Sequence, residues 1–567
     1  MKKFFEKDGL LHLSFGGPDF PAILALIKSI DGRKFNPVKK TWTIPANDVN
    51  KTILENSGFN ADKPWVEELT VDESYKDMEI QLYDFLRQYQ KNALKYIRLH
   101  DNFGYLGAPM GSGKTVMSLA HIELNQYKKS LVICPAGVKI NFRNDYRKFF
   151  NKELTILNGL QSVRHYEENG IYVINYELLS LSIESREITF KKRNGQTGTR
   201  KTFHPNDDLL QLLSSEFECI IADEAHKLKN EESQAFQAFS ALAEKANSIL
   251  LMSGTPILSR PSEIFGPMSK IKPKQFNHTN KYSYLNRYCG PKSITIRGGG
   301  RIMTYTGSSN LKELNVLLRR NGLLVIEKEE LDYELPDVIT HVVPVELDAD
   351  YLTYKEELYE MIADNPNMAL SAIEKLKQFS VQHKIENCID YINSILEIEE
   401  KVVIFATHKN VVEFLHKKYK NSVIYNGDVS PANKEKNKQA FINDPKVRMI
   451  IGNTESMGIG VDGLQHSGSS SVIIVELAWN PAIHEQAIAR LVRSGYQGKA
   501  HVNVHYLPGL GTIEEEIMEL LDKKKGVFEA VIRGEDVKGS DLLTYMRDKF
   551  LAEAQAYKRR KNASNTR

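Results

Sequence analysis

The stretch Ala108-Pro109-Met110-Gly111-Ser112-Gly113-Lys114-Thr115 reads as a loop built around a phosphate. A phosphate needs backbone N–H groups aimed at it, and the glycines at 111 and 113 permit the tight loop that aims them. A helix starting near Lys114 would add the positive end of its dipole. In that geometry Lys114 reaches the β- and γ-phosphates, and Thr115 offers its hydroxyl to Mg2+. The strict pattern asks for glycine at position 108, where this chain has alanine. A glycine-rich turn before an ordinary helix is the competing reading.

A second signal works against that competitor. Cys219-Ile-Ile-Ala222-Asp223-Glu224-Ala225-His226 is an apolar strand that ends in two carboxylates. Asp223 at the strand end is placed to hold Mg2+, and Glu224 to orient and activate the attacking water. A third signal is Gln486-Ala-Ile-Ala-Arg490-Leu-Val-Arg493. The spacing 486, 490, 493 predicts one helix face carrying all three polar side chains. Turned across a cleft, that face would present two arginines to a γ-phosphate. A surface helix with solvated arginines is the alternative.

Composition allows such a machine. The chain has 567 residues, 41% hydrophobic and 26% charged, enough for three or four packed domains. Its 75 Lys+Arg nearly balance 72 Asp+Glu, so nucleic-acid binding would have to come from local basic patches. Cys134, Cys219, Cys289 and Cys388 lie far apart without a CxxC pair, which predicts buried free thiols and no zinc site. Apolar runs fall far short of the roughly 18 residues that span a membrane. Glu6, Lys7 and Asp8 interrupt the N-terminus where a signal peptide is apolar. The expected location is intracellular: the cytoplasm of a bacterial or phage-infected cell, or a eukaryotic nucleus.

From about residue 80, β-rich apolar runs alternate with helical stretches. Leu131–Cys134, Tyr172–Asn175, Cys219–Ala222 and Ile249–Met252 form one series. Val402–Ala406, Val423–Tyr425, Met449–Ile451, Val472–Val475 and Val502–Tyr506 form a second. This is the pattern of two α/β units with parallel sheets between helices. The expected boundaries are 78–334 and 335–510, followed by a helical segment with a flexible basic tail at 511–567. Residues 1–62 predict a small α+β module, with strands at Leu10–Phe15 and Thr41–Ile44 and a helix over Ala22–Ile30. Residues 61–78 read as an acidic linker. Ile188–Phe203 around Asn194-Gly195, and Ile294–Tyr305 around three glycines, predict β-hairpins.

The ordered motifs resemble the superfamily 2 helicase-type ATPases, and within them the SNF2-like branch. Phe85–Gln90 is similar to the segment whose glutamine reads adenine, which makes Gln90 a nucleotide contact by resemblance. Leu131–Pro135 resembles motif Ia, Asp223–His226 is a DEAH box, and Ser253-Gly-Thr-Pro256 with Arg260–Phe265 resembles motif III. Thr454–Gly463 resembles motif V, with Asp462 where SNF2 proteins usually carry Asn. Trp479-Asn-Pro481 through Gln497 resembles motifs Va and VI. Asp31–Pro37 with Thr41–Pro45 resembles the HARP domain of annealing helicases, and the compact chain resembles phage branch-migration helicases.

The resemblance implies two tandem RecA-like domains with ATP between them. Gln90, Gly111, Ser112, Gly113, Lys114 and Thr115 would bind it from one lobe, and Gly460, Arg490 and Arg493 from the other. His226, Ser253, Thr255 and Gln486 would couple the cleft to bound nucleic acid. The implied activity is ATP-driven translocation on DNA with remodelling of duplex, forked or four-way substrates, by a monomer with replication or recombination proteins as possible partners. An RNA helicase and an ATP-gated recruitment subunit are the rivals. Lys191, Lys192, Arg193, Arg200 and Lys201 on the first hairpin, and Arg297 and Arg301 on the second, are the candidate DNA contacts. The first hairpin could serve as a wedge at a junction, and the HARP-like module (Arg33, Lys34, Lys39, Lys40, Trp42) as a reader of DNA structure.

Overall fold

The apolar runs of the first series become the middle of a seven-stranded parallel sheet. Its order is Leu323–Val325, Phe103–Gly107, Ser248–Ser253, Cys219–Asp223, Lys129–Cys134, Gly170–Asn175 and Thr155–Ile156. The central strands are buried on both faces, which is why they read as continuous apolar runs. Successive residues still alternate between two cores. Ile220, Ile249 and Leu251 pack on one face, while Ile221, Leu250 and Met252 pack on the other. The computed structural model describes all residues except 1, 8, 16–19, 37–40, 58, 62–72, 165–166, 192–196, 258–259, 272–280, 296–300, 520, 522–541 and 565–567.

The second series forms a six-stranded parallel sheet. Its order is Asp337–Val342, His501–Tyr506, Ser471–Ile474, Val402–Ala406, Met449–Asn453 and Ser422–Tyr425. The 30-residue helix Ala369–Ile398 packs its Ile385, Ile389 and Ile392 into one of that sheet's two cores. These are the two tandem α/β units expected from the sequence. Four strands of these sheets escaped that reading, among them the short Thr155–Ile156 and Leu323–Val325. Phe103–Gly107 carries two glycines in five residues, a weak strand signal. Asp337–Val342 is an exposed edge whose residues alternate little in polarity.

Residues 1–72 form a separate unit. Its mixed sheet runs Lys34–Asn36, Thr41–Pro45, Leu10–Phe15, Lys2–Lys7 and Asn60–Ala61. Helices Phe20–Ser29 and Asp48–Asn56 contribute Ile23, Ile27 and Leu54 to a core with Leu11, Leu13 and Ile44. Trp42 is half-buried against that core and lies 5.0 Å from the exposed Phe35. Lys39 and Lys40 lie outside the described residues.

Both hairpins form. Ile183–Lys191 pairs antiparallel with Thr197–Pro205, and Lys292–Thr295 with Arg301–Thr304. The first is longer than expected because its base starts at Ile183, which is buried in the first lobe's core. Lys192, Arg193 and Arg297 lie outside the described residues, while the backbone of Lys191, Arg200 and Arg301 lies on the paired strands.

Two expectations are corrected. The segment after residue 72 is not a bare linker, since Ser74–Asp77 is a 3-10 turn whose Tyr75 is buried edge-on to Tyr96 at 5.2 Å. The basic tail is not a loose end either. The helix Leu542–Ser564 lies along Tyr351–Asp364, with Lys558 on Asp364 at 2.6 Å and Lys561 on Glu360. Its lysines pair with acids of that neighbour, and this contact is long-range, so local sequence did not reveal it. The four cysteines are free and buried, as their spacing implied. Among the described residues, no helix is long and apolar enough to cross a membrane.

Candidate active site

Three neighbouring strands of the first sheet end side by side. Phe103–Gly107 runs into the loop at 108–113, Ser248–Ser253 into Gly254-Thr255, and Cys219–Asp223 into Glu224. The carboxyl ends of parallel strands are where such sheets place ligands. Gly111 (φ 81°) and Gly113 (φ 78°) take left-handed backbone, and the helix Lys114–Leu124 starts directly after them. Gln90 braces the turn. Its Nε2 donates to the Ser112 carbonyl at 2.9 Å while its Oε1 accepts from Arg87 N at 2.9 Å.

Lys114 is buried, and its Nζ donates to the carbonyls of Ala108 (2.8 Å) and Pro109 (3.2 Å). Burial pushes its pKa below the ordinary amine value against the opposing fields of Glu224 and Asp223. No carboxylate among the described residues forms an ion pair with it. A buried ammonium answered only by carbonyls fits a phosphate oxygen.

Glu224 takes a left-handed conformation (φ 51°, ψ 47°), a strained choice for a residue with a side chain. Its carboxylate meets His226 Nδ1 at 3.2 Å and accepts from Ser253 Oγ at 3.3 Å. His226 Nδ1 also lies 2.9 Å from Ser253 Oγ, and Thr255 N donates to that same oxygen at 3.1 Å. Glu224, His226, Ser253 and Thr255 are therefore one connected network. Burial raises both buried carboxyls. For Asp223 this wins, helped by the charge of Glu224, and its pKa goes up. For Glu224 the hydrogen bond and charge of His226, together with Lys114, outweigh burial and bring it down.

The second lobe reaches into this site. Arg490 is 4% exposed. Its Nη1 donates to Val461 O (2.7 Å), its Nε to Gln486 O (3.2 Å), and its Nη2 lies 3.7 Å from Met110 Sδ in the phosphate loop. Burial, then the neighbouring Arg493, pushes its pKa down to about 9. Arg493 lies over Gly111, where an added methyl would come 3.3 Å from its Cγ. Both arginines depress the Lys114 ammonium, so all three cations share one field.

The single helix face expected for 486, 490 and 493 is corrected. The helix Pro481–Ile488 ends before Arg490, and the chain tightens into i−3 bonds from Arg490 N to Ala487 O and from Leu491 N to Ile488 O. The arginines take up carbonyls near the helix end, Arg493 Nε bonding Ala489 O at 2.9 Å. Gln486 instead lines an inter-lobe cavity of about 560 Å3 with Met110, Thr255, Glu327, Glu485 and Val492. Gly460 ends the helix Thr454–Gly460 and packs against Gly137 of the other lobe.

Sequence reasoning missed several neighbours of the loop. Tyr89 Oη donates to Ser112 O at 2.8 Å, Tyr333 Oη donates to Gly111 O at 3.2 Å, and the Arg87 guanidinium stacks 4.6 Å from the Tyr333 ring centre. Tyr333 lies far along the chain, and nothing local marks it. Ser112 Oγ and Thr255 Oγ1 are buried without a hydrogen-bond partner among the described residues. Thr115 is in the first turn of the helix Lys114–Leu124 and Asp223 ends its strand, and one hydroxyl with one carboxylate suits Mg2+ bound mainly by water and phosphate. Among the described residues no group of three His, Cys, Asp or Glu is set for a metal by itself.

Family profiles match both lobes. The SNF2-related domain profile matches residues 89–403, and the helicase conserved C-terminal domain profile matches residues 383–495. The SWI/SNF-related matrix-associated actin-dependent regulator of chromatin subfamily A-like protein 1 of Xenopus laevis is 24% identical over 542 residues, 88% of this chain and 52% of that protein. The DNA annealing helicase and endonuclease ZRANB3 of Homo sapiens is 25% identical over 472 residues, 79% of this chain and 40% of that protein. The chain thus spans about half the length of these two relatives, or less. Among solved structures, the Sulfolobus solfataricus SWI2/SNF2 ATPase core in complex with dsDNA is 23% identical, with a TM-score of 0.37, covering 80% of this chain and 95% of that one. With a family profile over more than half its length and the two lobes it requires, the chain belongs to the SNF2-related family of helicase-type ATPases.

Proposed function

We propose that this chain is a DNA-stimulated ATPase that translocates on DNA and remodels branched substrates, by branch migration, fork processing or strand annealing. The observation that carries it is the convergence of Lys114 with Arg490 and Arg493 on one loop from two lobes. Two of these cations, Lys114 and Arg490, are buried and hydrogen-bonded to carbonyls, which favours a polyphosphate bridging the lobes. Lys114 and the backbone of Gly111–Gly113 hold the phosphates, with Ser112 and Gln90 shaping the loop. Thr115 and Asp223 hold Mg2+, which would neutralise charge developing on the transferred phosphate. Glu224 orients the attacking water, and the arginines stabilise negative charge in the transition state.

Nucleotide contact with both lobes favours closure, and loss of the γ-phosphate releases it. The Glu224–His226–Ser253–Thr255 chain supports coupling of that event to DNA, with Gln486 facing Thr255 across the inter-lobe cavity. DNA rather than RNA is favoured by the motif Va–VI run and by relatives named as annealing helicases. The long hairpin Ile183–Pro205, with exposed Lys201, is suited to act as a wedge at a junction. Residues 1–72 are suited to read DNA structure through Lys34, Trp42 and the exposed Phe35.

The test is ATP hydrolysis across single-stranded, duplex, forked and four-way DNA, with duplex RNA alongside and Lys114→Ala as the control. Stimulation by duplex or branched DNA is expected. Equal stimulation by RNA would reject the substrate class, and hydrolysis surviving in Lys114→Ala would reject the site. Deleting residues 190–201 should impair four-way junction migration while DNA-independent hydrolysis persists.

A further inference from the structure

Arg493 is anchored at two points. Its Nε donates to the Ala489 carbonyl at 2.9 Å, and its Nη1 forms an ion pair with Asp462 Oδ1. The carboxylate is itself fixed, since Gly463 N donates to the same Oδ1 at 3.0 Å. The stem of Arg493 then lies over Gly111. Nη2 makes no hydrogen bond to any described residue. A free arginine side chain samples many rotamers, and two anchors remove much of that freedom before any substrate arrives.

Asp462 is half-exposed on the segment after the helix Thr454–Gly460, and other charges face it. Arg490 and Lys438 favour its charged form from the second lobe. Asp145 faces it from the helix Lys139–Phe150 of the first lobe, and burial with this opposing carboxylate pushes Asp145 up to about 6. The neighbouring arginines thus favour the charged form of Asp462 beside Arg493.

We propose that Asp462 is a positioning residue for hydrolysis: its carboxylate holds Nη1 of the Arg493 guanidinium beside the phosphate loop and leaves Nη2 to meet a bound phosphate. The inference rests on the reading of Arg493 as a phosphate contact. Donors fixed in place before charge develops cost no reorganisation when it does, which is the advantage such an anchor gives. The contact is expected to act on turnover more than on ATP binding, because Lys114 and the loop backbone bind the phosphates without it.

The experiment measures kcat and KM for ATP in the full chain with saturating duplex DNA, for Asp462→Ala, Asp462→Asn, Arg493→Ala and the Asp462→Ala/Arg493→Ala pair. Asp462→Ala should lower kcat about tenfold or more, with little change in KM. Asp462→Asn keeps an acceptor oxygen and should recover part of that loss. In the Arg493→Ala background, Asp462→Ala should add nothing further. Wild-type kcat in Asp462→Asn and Asp462→Ala, or losses that simply add in the pair, would overturn the proposal. If Asp462→Ala does not fold, the shape-conserving Asp462→Asn decides by the same kcat comparison. Wild-type kcat in Arg493→Ala alone would instead remove the phosphate reading of that arginine, a separate and distinguishable failure.

Discussion

Gly137 and Gly460 lie back to back across the two lobes: a methyl placed on Gly137 would come 3.0 Å from the Gly460 Cα. Gly137 follows the strand Lys129–Cys134 of the first lobe, and Gly460 ends a helix of the second. The contact lets two backbones approach where side chains would hold the lobes apart. It also makes closure testable away from the chemistry. Gly137→Val is expected to raise KM for ATP and lower kcat together, with unfolding unchanged. Steady-state kinetics beside a thermal melt would show whether closure or folding was lost.

Lys114 and Glu224 should fail differently. Lys114→Ala removes a cation from the phosphates and should cut kcat by about 10²–10³-fold or more. Glu224→Gln keeps shape and hydrogen bonding but loses the base, for a drop of roughly 10²–10⁴-fold with ATP still bound. Nucleotide binding measured by equilibrium filtration, alongside hydrolysis, separates the two.

Ser253 Oγ lies between Glu224 and His226, and it accepts from Thr255 N. Ser253→Ala cuts that network while leaving Lys114, Arg490 and Arg493 in place. The ratio of DNA-stimulated to basal hydrolysis should fall by roughly 2- to 30-fold, the range of about 0.5–2 kcal/mol of coupling. A ratio equal to wild type would show that the network does not carry the signal.

The second lobe holds a fully buried ion pair, Lys384 Nζ to Glu514 Oε2 at 2.6 Å. Ser380 Oγ and Gly509 N also donate to that oxygen, each at 2.8 Å, which ties the turn at 509–514 to the helix Ala369–Ile398. Lys384→Met leaves the carboxylate without its cation and should cost about 3–5 kcal/mol. Lys384→Met with Glu514→Gln should recover part of it. Urea unfolding midpoints give the comparison.

His408 bonds Glu374 (3.3 Å) and Glu476, and those carboxylates raise its pKa to about 9 from the ordinary 6.5. A raised folded pKa stabilises fully below the unfolded value and loses that contribution as pH rises through the folded one. Thermal stability should therefore decline between about pH 6.5 and 9. His408→Gln should flatten that decline in melts run across this range.

The sequence by itself determined the parts whose causes are local. Glycines at 111 and 113 set the loop, the apolar runs ending in Asp223 and Ser253 set the strands, and two such series implied two parallel sheets. Buried strands are legible because both their faces must be apolar, whereas the exposed edge Asp337–Val342 and the glycine-bearing Phe103–Gly107 leave little pattern. Only the tertiary structure decided which distant residues meet. It brought Arg490 to Met110, Tyr333 to Gly111, Asp462 to Arg493 and Lys558 to Asp364. Contacts such as these are set by how whole layers pack, and spacing along the chain carries no record of them. The same holds for the end of the helix at Ile488, where carbonyls taken by arginine side chains replaced the regular turn that a 3.6-residue period would have continued.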